Sequence, residues 1–296
     1  MAESSLIDKT LARLRAALPA RFGGESVLVP VVRLAGVIGI SSPLRPGLTI
    51  GSVARSLERA FEMRGAKAVA LAINSPGGSA VQSHLIHRRI RSLADEKKIP
   101  VIAFCEDAAA SGGYMIACAA DEIVCDPSSI VGSIGVIGGT FGFDKLIEKI
   151  GVERRLYTSG ERKAMLDPFL PEKLEDVERL KSIQRDIHES FIALVKARRG
   201  AKLDSRESAL FTGEFWTGHR ARELGLVDAI GDLRSVLRER YGDKVKTPVI
   251  ADRGLFGRRL PGVGRGGWEQ ALSGPSLADD LVSTLEARAL WARYGL

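Results

Sequence analysis

Four histidines, three cysteines and 6% aromatic residues leave this 296-residue chain poorly equipped for several kinds of chemistry. Cys105, Cys118 and Cys125 are odd in number and lack metal-like pairing, so neither a disulfide framework nor a cysteine metal site is expected. They read as reduced core residues, which suits a reducing compartment. No HExxH motif is present, and no metal site is expected. Long hydrophobic runs are missing too. The most apolar stretch, residues 27–40, is interrupted by Arg33 and falls well below the roughly 20 apolar residues a spanning helix needs. No signal peptide pattern is seen, and there is no low-complexity tract. The chain is therefore expected in the cytoplasm, either free or held peripherally at a membrane.

An acidic balance is absent as well: the formal net charge is +7, with a pI near 9.4. The arginines are scattered. Arg88, Arg89 and Arg91 share one predicted helix, while Arg198-Arg199 and Arg258-Arg259 mark helix ends or loops. No aromatic residues interleave with them as base stacking would require, so no nucleic-acid partner is expected.

What the chain does have is alternation. Strand patterns near residues 27–34, 68–73, 100–104, 122–125 and 154–157 alternate with helical patterns near 53–63, 80–97 and 143–150. Gly65 and Gly151 follow helices as stops, and Ser52 and Ser79 precede others as caps. Such alternation predicts a parallel α/β fold. A long helix is predicted over 172–199, with apolar positions at three-to-four spacing from Leu174 to Leu194, suited to a lid or a subunit contact. Residues 253–267 are rich in Gly, Arg and Pro, and a helical pattern follows from Leu277 to Tyr294. At the other end Leu6, Leu11, Leu14, Leu18 and Phe22 recur at helical spacing beside Lys9, Arg13, Arg15 and Arg21. That stretch fits a helix docked on protein or one lying at a membrane surface. The expected organisation is an amphipathic helix over 1–26, a main domain over 27–242, and a linker with a C-terminal helix over 243–296.

Two polar residues stand in contexts suited to acyl transfer. Ser111 lies between Ala110 and Gly112-Gly113, where small neighbours let a substrate backbone approach, and it precedes an apolar helix-like run. Lys163 is followed by Ala164, Met165, Leu166, Pro168 and Phe169, the apolar company a neutral, proton-accepting lysine needs. A serine hydroxyl becomes a competent nucleophile when such a base takes its proton. A second glycine-rich element, Asn74-Ser-Pro-Gly-Gly78, sits at a strand-to-helix junction, and the amides of Gly77 and Gly78 are candidates for an oxyanion hole. The histidines offer less. His84 and His87 flank a basic helix face, His188 lies mid-helix, and His219 follows a turn, with no carboxylate set to orient any of them as in a Ser-His-Asp triad. Trp216-Thr-Gly218 and Gly225-Leu-Val-Asp228 read as a turn and a strand start.

Asn74-Ser-Pro-Gly-Gly78, Ala110-Ser-Gly-Gly-Tyr114, Ser129-Ile-Val-Gly-Ser-Ile-Gly-Val136, Ser159-Gly-Glu-Arg-Lys163 and Phe215-Trp-Thr-Gly218, in that order, resemble the signal peptide peptidase A family, the S49 serine peptidases, in its short single-domain form. The resemblance covers roughly residues 28 to 235. It implies a ClpP/crotonase-like α/β fold, a spiral of ββα units, and a serine endopeptidase working through a Ser-Lys dyad without a cofactor. By the same resemblance Ser111 is the nucleophile, Lys163 the general base, Gly77 and Gly78 the oxyanion donors, and Ser133 a hydroxyl that helps orient the lysine. It further implies peptide substrates, apolar or signal-peptide-like, and a homo-oligomeric ring in which serine and lysine come from neighbouring protomers. Two other readings stand beside it: a crotonase-like acyl-CoA enzyme, and an inactive scaffold that binds peptides in the same groove.

Overall fold

A computed structural model describes residues 27–39, 47–204, 207–250 and 277–296. The predicted N-terminal helix and the Gly/Arg/Pro-rich stretch lie outside the described residues. The architecture is a parallel α/β fold wound as a spiral. Strand β1 (Val31–Ala35) leads to α1 (Ile50–Glu62), β2 (Val69–Ser75) to α2 (Ala80–Lys97), and β3 (Val101–Ala110) to the short α3 (Gly112–Ala117). Then come β4 (Glu122–Cys125), β5 (Ile130–Gly132), α4 (Asp144–Lys149), the long α5 (Leu174–Arg199), β6 (Phe215–Thr217) and α6 (Gly218–Glu223). The short β7 (Ala229–Ile230), α7 (Leu233–Tyr241), β8 (Val249–Ile250) and α8 (Leu277–Ala292) complete the described chain.

Strands β8, β1, β2 and β3 pair in parallel, and β3 then serves two neighbours. Its first half pairs with β4, and residues 108–110 pair with β5, against which β6 runs antiparallel. At the ends of β1 and β2 the chain makes a second, shorter ladder through the Ile38 to Gly78 bridge before each helix starts. Each turn of the spiral is thus a long strand, a short second strand and a helix, the ββα unit. The short ladder carries the site.

Strand β2 is apolar nearly throughout and buried except at Asn74, as expected of a parallel strand covered on both faces. One core, with Leu34, Leu57, Leu71, Ile86, Ile90 and Ile116, lies between the sheet and α1, α2, α3 and α5. A smaller one, with Val29, Ala70, Phe104 and Val124, is closed by Val236 and Leu237 of α7. Helix starts follow the side chains present. Thr49 caps α1 and Ser52 returns the bond in a capping box, so Ser52 lies within the helix and does not precede it as the sequence suggests. Ser79 caps α2 through the Gln82 amide. Residues 154–157 are the exception to the predicted strands: they run exposed and unpaired, because no sheet edge is there to receive them.

The three cysteines are buried and unpaired, and burial pushes the Cys118 and Cys125 thiols up to about 12. Arg199, at the end of α5, is buried and paired with Asp228, whose other partners are Lys202 and the Ile123 amide. This pair ties α5 to the sheet. Asp228 is thus structural, as its sequence context suggested.

His87 is buried between α2 and α3 with no hydrogen-bond partner for either ring nitrogen among the described residues. The nearby Cys118 carbonyl accepts from Arg198 instead. Burial, then the charges of Arg198, His84 and Arg91, lower the His87 pKa to about 4. Only the unfolded chain therefore gains a proton on this ring between pH 6.5 and about 4, so stability present above 6.5 is lost as pH falls through that window. The cost is on the order of 3 kcal/mol. In urea unfolding at a series of pH values, we expect His87→Met to lose most of this acid-side slope; an unchanged slope would assign it to other groups.

Candidate active site

Strand β3 ends at Ala110, and the chain turns sharply into α3 through Ser111, at φ 53° and ψ −120°. Residues with a β-carbon avoid this region, at a cost of about 1–3 kcal/mol, so the surroundings must hold it. They do so through a hydrogen bond from the Ser111 amide to the Gly132 carbonyl, 2.8 Å, and one from the Met115 amide to the Ser111 carbonyl, 3.0 Å. Every residue of α3 is buried. Gly112 and Gly113 are required by packing: a β-carbon on Gly112 would lie 2.3 Å from Ser83 Oγ, and one on Gly113 2.6 Å from the Ser75 carbonyl oxygen. Although Ser111 occupies the N-cap position of α3, its hydroxyl makes no capping bond.

The glycine pair after β2 lies against this corner. Gly77 has φ +103°, and a β-carbon there would lie 2.8 Å from Ser111 Cβ. Gly78 has φ +139°, and a β-carbon there would lie 2.1 Å from the Ile38 carbonyl oxygen. Their amides differ. The Gly77 N–H donates to Ser75 Oγ at 3.2 Å, and Ser75 in turn donates to the Gly36 carbonyl at 2.7 Å. The Gly78 N–H has no acceptor among the described residues. Gly112, the first helical residue of α3, offers another amide at an end where helices leave N–H groups unpaired.

Ser133 follows β5, buried and also at φ 53°, with its amide donating to the Glu214 carbonyl at 2.6 Å. Two cavities open beside Ser111. One, about 240 Å³, is lined by apolar side chains including Met115, Val136, Ile187 and Phe191, with Leu290 and Arg293 from the C-terminal end. The other, about 330 Å³, holds Ser133, His188, Thr212 and Gly213. Ser111, Gly135, Val136, Ile137 and Arg293 belong to both. Ser111, Gly77, Gly78 and Ser133 are thus brought to one place.

Lys163 is not brought there within one chain. It sits in an exposed turn between α4 and α5 and lines neither Ser111 cavity. The turn is folded on itself: Arg154 pairs with Asp167 at 2.7 Å and stacks over Phe169, which meets Phe143 at a ring separation of 5.6 Å. The bond from the Phe169 amide, and then Arg154, hold the Asp167 carboxyl below its ordinary range. Ala164, Met165 and Leu166 are only half-buried, and the amine they would shelter faces solvent.

His188 is the histidine that reaches a Ser111 cavity. Its Nε2 lies 3.0 Å from the Ile134 carbonyl oxygen, which can only accept, so that nitrogen carries the proton. It has no carboxylate partner among the described residues. Met115, Val136, Arg293 and Tyr294 were not singled out by the sequence. Ile187 and Phe191 lay legibly in the apolar stripe of the long helix, but the direction of that stripe toward Ser111 is a tertiary fact.

A sequence profile of peptidase family S49 matches residues 94–244, and one of the NfeD1b N-terminal domain matches residues 36–145. A Brucella abortus protein named Na(+)/H(+) antiporter NhaA is 55% identical over 287 residues, which is 96% of this chain and 39% of that protein. This chain therefore spans well under half the length of that relative. A putative protease of Synechocystis sp. is 34% identical over 204 residues, 66% of this chain and 72% of that protein. Among solved structures, a lysine-to-alanine mutant of the 1510-N membrane-bound stomatin-specific protease, in complex with a substrate peptide, is 18% identical. Its TM-score is 0.47, with 88% of this chain and 99% of that chain covered, too distant a likeness to carry an argument.

The contact between Gly77 and Ser111 can be tested directly. Gly77→Ala should leave the far-ultraviolet circular dichroism unchanged while slowing fluorophosphonate labelling of Ser111 by about 100-fold, the scale on which displacing a reacting group by about 1 Å acts, because the added β-carbon would press on Ser111 Cβ. Labelling at the wild-type rate would show that the close approach does not matter.

Proposed function

The chain belongs to peptidase family S49, and from that premise we propose that it is a serine endopeptidase that cleaves peptides through an acyl-enzyme on Ser111. The observation that carries this reading is the strained, uncapped Ser111 corner, set between two cavities and beside the Gly78 amide, which has no acceptor among the described residues. In the cycle we propose, neutral Lys163 accepts the Ser111 proton as the oxygen attacks a peptide carbonyl. The Gly78 and Gly77 amides then stabilise the oxyanion, Gly78 being better placed because the Gly77 N–H is already shared with Ser75. The lysine gives its proton to the departing amine, and it next takes a proton from water as that water attacks the ester. Ser133 is proposed to orient the amine. No cofactor enters. The Met115, Val136, Ile187 and Phe191 lining supports substrates with apolar side chains. Neither cavity is lined by an Asp or Glu among the described residues, which speaks against the acyl-CoA reading.

Lys163 lies away from Ser111 in one chain, and the residues around it support a site shared between subunits. From Ile137 to Leu174 large apolar side chains stand exposed, among them Ile137 at 72%, Phe141 at 78%, Ile150 at 63% and Tyr157 at 89%. Apolar surface of this kind marks an interaction face. Ile137 also lines the Ser111 cavities, so a neighbour covering this face would reach the mouth of the site. Burial there would supply the dry setting that a proton-accepting lysine needs. We therefore propose a homo-oligomer, ring-shaped as in the resemblance, with serine from one subunit and lysine from the next.

The proposed setting is the reducing cytoplasm, consistent with three buried unpaired thiols. Any contact with a membrane is proposed to be peripheral; no helix among the described residues is long and apolar enough to cross one.

Ser111→Ala and Lys163→Ala should each lower cleavage of unfolded apolar peptides by at least about 10³-fold while still assembling. Mixing the two inactive proteins should restore part of the activity, because some interfaces then pair an intact serine with an intact lysine. Full activity in either variant would refute the dyad, and no recovery on mixing would place both residues in one chain.

A further inference from the structure

The end of α8 reaches back into the site, and the described chain itself fills the space beside Ser133. Tyr294 is buried, with 8% of its surface exposed, although it follows a helix whose described side chains are mostly half-buried or exposed. Its phenol oxygen lies 3.2 Å from Ser133 Oγ and 3.4 Å from the Pro76 carbonyl oxygen, and its ring meets Phe215 edge to face at 5.0 Å. Leu290 and Arg293 line the apolar cavity, and Arg293 lines the second one too. The turn is closed by the Tyr294 amide on the Trp291 carbonyl at 2.9 Å and the Leu296 amide on the same oxygen at 3.3 Å.

The phenol donates toward Ser133 Oγ, the nearer of its two acceptors, with the Pro76 carbonyl oxygen as the more distant one. The contact engages the Ser133 hydroxyl oxygen. It also places an aromatic ring between Phe215 and Ser133, on the flank of the site where an incoming amine would have to bond to that hydroxyl. At the same time Leu290 occupies part of the wall of the cavity suited to an apolar substrate side chain. One short segment therefore touches both the place of the base and the place of the substrate.

We propose that residues 290–294 are a built-in stopper that holds the Ser111 site closed, and that peptide entry together with approach of the partner lysine displaces it. This rests on the peptidase reading above for what the site does, but the contact itself does not. A protein whose competent form is only a fraction of the population shows an affinity reduced by that fraction. Removing the stopper should therefore raise apparent affinity and rate together.

The test compares wild type, Tyr294→Phe and Tyr294→Ala. Tyr294→Ala should raise kcat/KM for a short unstructured apolar peptide by about five- to tenfold, and Tyr294→Phe, which removes only the hydroxyl bonds, by less. Fluorophosphonate labelling of Ser111, which needs no peptide, should accelerate in the same order. Binding of the peptide to Ser111→Ala protein should tighten when Tyr294→Ala is added. Unchanged or slower cleavage, labelling and binding in the Tyr294 variants would overturn the stopper and make Tyr294 a supporting wall. If no variant cleaves peptide, the peptidase reading fails, and the labelling rates still decide the stopper: faster labelling in Tyr294→Ala supports it, equal labelling overturns it.

Discussion

The hydrogen bond from the Ser111 amide to the Gly132 carbonyl joins the two strands on which the site is built. It extends the pairing of β3 with β5 by one step beyond Ala110, to the residue where the chain must leave the sheet and start α3. Without that anchor, a serine at positive φ would relax into an ordinary strand or helix conformation, and its hydroxyl would be free to cap α3. With it, Ser111 is held uncapped at a corner, and Ser133, one residue beyond Gly132, is held at positive φ on the neighbouring strand. Gly77 fills the remaining side of the corner, where only a residue without a β-carbon fits. The strain is offset by a wholly buried helix and a double-sided core, which makes the corner rigid.

This rigidity contrasts with the segment that carries Lys163. It exposes large apolar side chains among charged ones and is held by its own aromatic contacts. A base on such a segment makes chemical sense only if another surface covers it. In the proposed scheme Ser111 and the Gly77 and Gly78 amides sit at the sheet, and Lys163 waits on a face that assembly would dry. A monomer would then carry the half-buried Ser111 without its proposed base, and the Tyr294 contact with Ser133 would guard it further.

Much of this was legible in the sequence for identifiable reasons. Residues 69–73 of β2, 101–105 of β3 and 123–125 of β4 are short apolar runs, and α2 begins at a serine cap and ends with a lysine-rich turn, so periodicity and punctuation agree. Ser111, Gly77 and Gly78 stand in motifs whose small residues are explained by close backbone approach, and the structure brings these residues together. The short strands β5 and β6 were not legible, because three residues carry no period and owe their pairing to β3. Residues 154–157 look like a strand because their composition is right, but strands exist only where an edge accepts them. The role of Tyr294 had no sequence signal at all: its partner Ser133 is 161 residues away, and only the path of α8 connects them.

The claim on which the rest turns is that the Ser111 oxygen becomes covalently acylated. The most direct measurement is mass spectrometry of protein mixed with an apolar peptide ester and quenched in acid within seconds, with the adduct mapped by proteolysis. The account predicts one acyl group on the peptide containing Ser111, strongly reduced in Lys163→Ala protein. Turnover of the ester with no adduct on that peptide, or an adduct on another residue, would contradict it.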